Sequence, residues 1–467
     1  MHFEERHYVS RGHLMGPLMK VTHKSGAPVV AWDGQIMRSF ALALILVTLT
    51  CAGCAPPLRV PPGGAPIPST SPSPPWEQIA VNGSLEEVNG VRVLRLWGSR
   101  HEMGYAYGFL MANELADVFE QYLFGSVIER LPAEWTYERL VETAAQRIQW
   151  PQGYGEEMEA MIQGMETRLG GLPEITHPRV ADEGAPMDVT MLALLNAHLD
   201  LLGLSRDGCS FAAWGAATAD GRVRVGSSWP GHHALLIVRR PADGLSTVCS
   251  SSVGSLTCSH GMNELGVIVA SQGAEPPQSA VAPCYAGMHA RLALEGVIAG
   301  PDAIPRIAAL FEAHPSCGPS IFLVAQGGDS DDPDRTAAII EQDRDGVTVR
   351  WPSHNEQHDT PLSEAIVATN HFLSRETTPP QPTREESTRR YDGMVAALQQ
   401  RPPTDLADMQ TVLTACDPQE ITQSAYLEPD RSTIHVAFAA AFPSPTTFTW
   451  EDLFAPLENN GETEGSR

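Results

Sequence analysis

Leu204-Ser205-Arg206-Asp207-Gly208-Cys209-Ser210-Phe211-Ala212-Ala213-Trp214-Gly215 is the stretch on which the chain turns. Upstream of it, helix formers recur at helical spacing. Downstream, short β-type runs begin with Cys209 to Trp214 and Arg222 to Val225. A small nucleophilic side chain directly after a glycine, where helices give way to strands, suits an N-terminal nucleophile. Breaking the Gly208–Cys209 bond would make Cys209 a chain start carrying both a thiol and a free α-amine. An α-amine titrates near neutrality, so it can take the thiol proton and serve as the nucleophile's own base. Gly208 has no Cβ, which permits the strained backbone that attack on its carbonyl requires. The plainer reading of such a cysteine is a packed small apolar residue or half of a disulfide, and composition alone favours it.

The chain has 467 residues, a formal charge of −25 and 42% hydrophobic residues. That suffices for one large globular domain or two moderate ones. The acidic balance leaves no basic stripe to neutralise phosphates and argues against nucleic acid as a partner. Near the start, Arg38 precedes the apolar run Phe40-Ala41-Leu42-Ala43-Leu44-Ile45-Leu46-Val47-Thr48-Leu49, and Cys51-Ala52-Gly53-Cys54 follows. The run is short for a bilayer span and has the order of a signal peptide, so residues 1–54 are the expected leader. Ala52-Gly53-Cys54 resembles the bacterial lipobox, with Cys51 where a leucine is usual. Cys54 is then the lipidated residue and Met37 the expected true start; an ordinary cleaved secretion signal is the alternative. Residues 55–80, from Pro56-Pro57 to Ser71-Pro72-Ser73-Pro74-Pro75, read as an extended tether. The expected location is the bacterial cell envelope, lipid-anchored and facing periplasm or exterior.

Residues 81–208 form the helical first part of the domain. Val91-Arg92-Val93-Leu94-Arg95-Leu96 reads as a strand. Ser99, with Glu102 three residues on, opens a helix. Met103, Tyr107, Leu110, Leu115, Val118, Phe119 and Tyr122 continue it at helical spacing, and Gly104 and Gly108 would admit a close neighbour. Further helices are expected near 136–148, 155–169 and 187–203. In the second part, 209–457, strands are expected near 222–226, 234–239, 246–253, 265–270, 319–325, 336–341, 346–351, 433–439 and 446–450. Helices are expected at 284–299, 302–313, 385–399 and 404–414, and 458–467 reads as a disordered tail. Helices on both faces of antiparallel strands predict an α+β fold, two sheets between helical layers.

Four segments carry a resemblance to a known family. Gly208-Cys209-Ser210-Phe211-Ala212-Ala213-Trp214-Gly215, followed by Ala217-Thr218-Ala219-Asp220-Gly221, looks like the cleavage junction of the C45-type autoproteolytic acyltransferases and hydrolases. These are relatives of isopenicillin N acyltransferase within the N-terminal nucleophile (Ntn) hydrolase superfamily. Gly98-Ser99-Arg100-His101-Glu102-Met103-Gly104-Tyr105-Ala106-Tyr107-Gly108 looks like the start of the family's pro-region. Gly261-Met262-Asn263-Glu264-Leu265-Gly266-Val267 resembles a segment shared with bile salt hydrolases, and Thr369-Asn370-His371-Phe372 matches a family signature. The resemblance spans 90 to 455 and implies a four-layer αββα sandwich of antiparallel sheets between helical layers. It implies that Cys209 attacks the Gly208 carbonyl, that water resolves the thioester, and that the two fragments stay associated. It implies a small acylated amide or lipid-like substrate, a thioester acyl-enzyme, Asn370 as side-chain donor to the oxyanion, and no cofactor.

The sequence departs from the family at Gly226-Ser227-Ser228-Trp229-Pro230-Gly231, where an Arg-Asn-x-Asp-like stretch is usual. The usual polar and carboxylate groups are then replaced by Ser227, Ser228 and Pro230, with Pro230 at the place of the carboxylate, and His232 or His233 could compensate. Asn370 read without the resemblance is a turn-forming residue at a strand end. Arg389 and Arg390 head a helix and could meet an anionic substrate group, with a solvated surface role as the plainer reading. Met262, Asn263 and Glu264 read as a structural turn supporting the site. Beyond Cys51, Cys54 and Cys209 remain Cys249, Cys258, Cys284, Cys317 and Cys416. Cys249 and Cys258 flank a hairpin and are the expected pair, and one of the five must stay unpaired or pair outside the chain. No metal-ligand spacing and no glycine-rich phosphate loop is present. The expected function is thus an exported Ntn-type cysteine hydrolase or acyltransferase. The alternatives are a catalytically degenerate binding lipoprotein and a phospholipase- or ceramidase-like lipid hydrolase.

Overall fold

The computed structural model describes residues 77–454, apart from 133, 181–183, 203–207, 232, 275–283, 328–335, 344, 354–361, 375–381, 417–421 and 439–443. All of these belong to the unit 57–467. The leader, Cys54, nearly all of the proline-rich tether, His232 and the tail lie outside the described residues. No helix among the described residues is long and apolar enough to cross a membrane.

Two sheets carry the fold. In chain order their strands are β1 (Glu77–Ala80), β2 (Gly83–Val88), β3 (Val91–Gly98), β4 (Cys209–Gly215), β5 (Gly221–Trp229), β6 (Ala234–Pro241), β7 (Thr247–Ser252) and β8 (His260–Asn263). β9 (Val267–Gly273), β10 (Ser320–Gln326), β11 (Ala337–Asp343), β12 (Gly346–Arg350), β13 (Ala365–Ala368), β14 (Gln423–Glu428), β15 (Thr433–Ala437) and β16 (Thr446–Thr449) follow. The ten-stranded sheet runs β1-β2-β3-β6-β7-β8-β9-β10-β11-β12. It is antiparallel except between β3 and β6. The six-stranded sheet runs β13-β4-β5-β14-β15-β16 and is antiparallel. The fold is therefore mixed helix and sheet with antiparallel sheets. β1 takes the last positions expected of the tether.

Period-two alternation assigns each strand residue to a face. Ala212 and Trp214 of β4 join Val93, Val238, Ile268 and Leu323 of the large sheet in one buried cluster. Cys209, Phe211 and Ala213 point the other way, onto the helices α6 (Pro382–Gln400) and α7 (Leu406–Thr414), named after the five below. The outer face of the large sheet is covered by α1 (Arg100–Leu110), α2 (Tyr154–Leu169) and α3 (Val189–Leu202). Further along it, α4 (His289–Gly296) and α5 (Ala303–Ala313) cover Val269 and Val324.

Ser99 and Glu102 form the expected capping box at the start of α1. Gly104 and Gly108 face α2, and a Cβ at Gly108 would lie inside the Met161 carbonyl. Beyond residue 117 the expected α-helix gives way to a π-helix, Val118–Val127. The buried pairs Val118-Phe119 and Leu123-Phe124 repeat at five residues, so a wider turn aligns both with the core. The expected helix at 284–299 is shorter. Cys284 and Tyr285 are extended beside Ile148 and Gln149, and Cys284 is tied to Cys317. β14 has no counterpart in the sequence reading. It is buried along its whole length, so Gln423-Ser424-Ala425-Tyr426-Leu427-Glu428 shows no in–out alternation to find.

The parts before and after residue 208 share one core. β3 and β6 pair across that boundary, with Val93 opposite Leu236. Arg100 and Arg291 both reach Glu157 and Glu295, at 2.6 to 3.2 Å. Their guanidinium carbons lie 4.7 and 4.8 Å from the centre of the Tyr154 ring. Such a buried, hydrogen-bonded set loses far more when one partner is removed than when it stays whole.

Candidate active site around Cys209

Cys209 opens β4 and is fully buried. Ser228 of β5 is its cross-strand partner, and on the other side Ser210 is opposite Ala368 of β13. Continuing that antiparallel register by two residues brings Asn370 to Gly208. The Gly208 N–H donates to Asn370 Oδ1 at 3.2 Å. Gly208 is closed in on its other sides. A Cβ there would lie 2.9 Å from the Ser228 carbonyl and 3.4 Å from Gln272.

Asn370 is held from both directions. Its backbone N–H donates to Ser387 Oγ on α6 at 2.8 Å, and its Nδ2 donates to the Gly273 carbonyl at 2.7 Å. Ser387 also contacts His371 Nδ1 at 2.7 Å. One helical turn beyond Ser387, Arg390 enters the same site. Its Nη2 donates to Asn370 Oδ1 at 2.8 Å, and its Nη1 is 3.6 Å from Cys209 Sγ. The plainer reading of Arg390 as a solvated residue therefore gives way. Arg389, next in sequence, is exposed.

Gln272 also borders Gly208. Its Nε2 donates to Ser210 Oγ at 2.8 Å. Its Oε1 is buried without a partner among the described residues, as is Ser228 Oγ. Two unpartnered acceptors thus lie around the Gly208–Cys209 bond. Nothing local marks Gln272, which is an ordinary polar residue near a strand end. Ser227 Oγ meets His260 Nδ1 at 3.3 Å, and burial lowers the His260 imidazole to about 3, keeping it neutral.

Other predicted residues lie elsewhere. Asn263 uses its amide to hold a turn: Nδ2 donates to Leu294 O and Val297 O, and Oδ1 accepts from Leu265 and Val267. His233 has φ 48° and lines a cavity of about 70 Å³ with Tyr122, Leu195, His198, Trp229 and Val253. Burial lowers its imidazole below the usual range. Tyr122 and His198 are hydrogen-bonded across this cavity at 2.9 Å. Cys209 does not line it, although Trp229 directly follows Ser228.

Cys209 is joined to Cys416, just past the end of α7, with Cα atoms 6.6 Å apart. Cys249–Cys258 and Cys284–Cys317 are the other disulfides among the described residues. The expectation that a fifth cysteine must lack a partner within the chain is corrected here. It set Cys209 aside, and Cys209 is the partner of Cys416.

No family model matches the chain. An uncharacterised protein of Archaeoglobus fulgidus is 24% identical over 325 residues, 61% of this chain and 51% of the relative. The chain thus spans about half the length of the curated relative it matches. Among solved structures, the Caenorhabditis elegans N-acylethanolamine-hydrolyzing acid amidase ortholog is similar with a TM-score of 0.35 and 13% identity. It covers 48% of this chain and 93% of its own. A mutant of conjugated bile acid hydrolase from Clostridium perfringens has a TM-score of 0.35 and 10% identity, over 52% and 92%. Penicillin V acylase from Agrobacterium tumefaciens has a TM-score of 0.29 and 12% identity, over 52% and 87%.

Proposed function

We propose that this chain is an autoproteolytic N-terminal cysteine hydrolase or acyltransferase acting on amide-linked acyl groups. The observation that carries the reading is the convergence of Asn370 and Arg390, from two separate elements, on the Gly208–Cys209 bond. Once its thiol is free, Cys209 Sγ attacks the Gly208 carbonyl. The acyl group passes from nitrogen to sulfur and the Cys209 α-amine is released. Water hydrolyses the thioester, leaving a Gly208 carboxylate and the thiol. In the mature protein the α-amine takes the thiol proton, and the sulfur forms an acyl-enzyme that water or an amine resolves. Asn370 Nδ2 is the oxyanion donor and must give up the Gly273 carbonyl to serve. Arg390 supplies positive charge beside the sulfur and fixes the Asn370 amide.

The folded domain reads as a four-layer αββα sandwich. Supporting this are the apolar cluster shared by the sheets and the helices packed on each outer face. The shared β3–β6 ladder and the Arg100–Glu157–Arg291–Glu295 set would keep the fragments together after cleavage. The cavity beside Trp229 suits the apolar part of a small acylated amide or lipid-like substrate. Export, lipidation at Cys54 and the proline-rich tether complete the proposal. Cys54→Ala should move the protein from membranes to the soluble fraction.

A second reading, a catalytically degenerate binding lipoprotein, is favoured by the stretch Ser227-Ser228-Trp229-Pro230, which has Pro230 where a carboxylate is usual. Intact mass and N-terminal sequencing of protein expressed without its leader and kept reduced decide between the two. Two associated fragments are expected, the second beginning at Cys209, and Cys209→Ala should stay one chain. A single chain after long reduced incubation, at every pH tried, would establish the degenerate reading instead.

A further inference from the structure

We propose that Cys209–Cys416 is a redox-active disulfide that keeps the chain unprocessed, and that a dithiol reductant is the co-reactant that releases it. This rests on the reading of Cys209 as the nucleophile. The two other disulfides among the described residues close short segments, with sequence separations of 9 and 33, and Cys249 of the first lies on β7 of the large sheet itself. Cys209–Cys416 has a separation of 207 and joins the first residue of β4 to the end of α7. A sulfur in a disulfide has no thiol proton to lose and cannot act as the thiolate nucleophile. While the bond is closed, attack on the Gly208 carbonyl is therefore blocked.

The two sulfurs differ in surroundings. Arg390 Nη1 is 3.6 Å from Cys209 Sγ, and a cation there stabilises a thiolate. Cys416 follows the C-terminal turn of α7, its N–H bonded to the Leu413 carbonyl, where the helix dipole disfavours negative charge. The better-stabilised thiolate is the better leaving group. Attack is thus directed to Cys416, with Cys209 departing. Both sulfurs are buried, so the reductant needs a local opening, and the end of a helix opens more readily than a strand paired on both sides.

The step balances as follows. A thiolate of the dithiol attacks Cys416 Sγ, the S–S bond breaks, and its electron pair leaves on Cys209 Sγ beside Arg390. The reductant's second thiol then attacks the mixed disulfide, loses its proton to solvent, and releases Cys416 as a thiolate that is protonated. The reductant ends as its own disulfide, having given two electrons to the pair. The Cys209 thiolate is then ready to attack Gly208.

The test uses the full chain purified without reductant, as wild type and as Cys416→Ser. Each is incubated with and without dithiothreitol, alkylated, and analysed by intact mass and peptide mapping. The proposal expects wild type to show no alkylated Cys209 and no fragments until dithiothreitol is added. Fragments beginning at Cys209 should then accumulate. Cys416→Ser should yield them without reductant, and the wild-type pair of samples serves alone if that variant does not fold. Alkylated Cys209, or equal fragment formation, in unreduced wild type overturns the gate and leaves the proposed activity intact. Fragments in no sample, with Cys209 alkylated after reduction, overturn the autoproteolytic reading and the gate with it. Reduction that lowers thermal stability without producing fragments marks the bond as a structural staple.

Discussion

Arg390 donates from Nη2 to Oδ1 of Asn370 at 2.8 Å, and the same oxygen accepts the Gly208 N–H at 3.2 Å. Two donors on one atom identify it as the carboxamide oxygen. The NH₂ group must therefore face the other way, where it meets the Gly273 carbonyl. A guanidinium on α6 thus decides which end of Asn370 can serve as a donor.

Replacing Arg390 should reveal this dependence. Arg390→Met removes the cation from beside the sulfur and frees the amide to flip. Reduced Cys209 should then react more slowly with iodoacetamide at neutral pH, and processing should slow by about one to two orders of magnitude. Arg390→Lys should recover the sulfur reactivity better than the processing, because an ammonium cannot reproduce both bonds. Unchanged alkylation and processing in Arg390→Met would remove Arg390 from the site.

Asn370→Asp separates acceptor from donor. The carboxylate can still accept from Arg390 and Gly208, but its second oxygen opposes the Gly273 carbonyl, so Asn370→Ala, which lacks that oxygen, is the control for folding. Asn370→Asp has no N–H to offer an oxyanion, and turnover should fall by about two to three orders of magnitude, as in Asn370→Ala. Parental turnover in either variant, measured on any acyl amide the protein hydrolyses, would refute the donor role.

The contact between α1 and α2 makes a stability prediction. A Cβ at Gly108 would lie inside the Met161 carbonyl, and backbone cannot rotate aside as a side chain can. Gly108→Ala should cost about 3 kcal/mol or more, read as a shift in the urea midpoint. Gly155, in the first turn of α2, has no atom within 4 Å of an added Cβ. Gly155→Ala should raise stability by about 0.5–1 kcal/mol.

Acid should unfold the protein in two stages. Burial lowers His260 to about 3 and His289 to about 4. Both fall below the usual imidazole value of about 6.5, so the unfolded chain binds more protons between these limits. Their contribution is complete above about pH 6.5 and is lost as the pH falls, with a slope of about 1.4 kcal/mol per pH unit for each. The carboxylates lowered by ion pairs, Glu295 and Glu428, add to the loss only below about pH 4.5. Urea midpoints between about pH 7 and pH 5 therefore report the buried histidines, with His233, also lowered by burial, adding to the slope. His260→Gln should flatten that slope, and an unchanged slope would contradict a neutral buried His260.

Local chemistry in the sequence determined much of this protein. The Ser99–Glu102 capping box, the close-approach glycines of α1, the change from helix to strand at Cys209 and most strands are short-range features. Each follows from residues within a few positions of one another. The Thr369-Asn370-His371-Phe372 resemblance also points to Asn370, which read alone is a strand-end turn residue. Only the tertiary structure decided that Arg390 joins Asn370 rather than solvent, that Gln272 borders Gly208, and that β14 lies between β5 and β15. It alone decided that Cys209 and Cys416, 207 residues apart, are bonded. The physical reason is common to all four. They depend on which sheet face meets which helix, a matter of burial between distant segments, and periodicity in one segment carries no record of its partner.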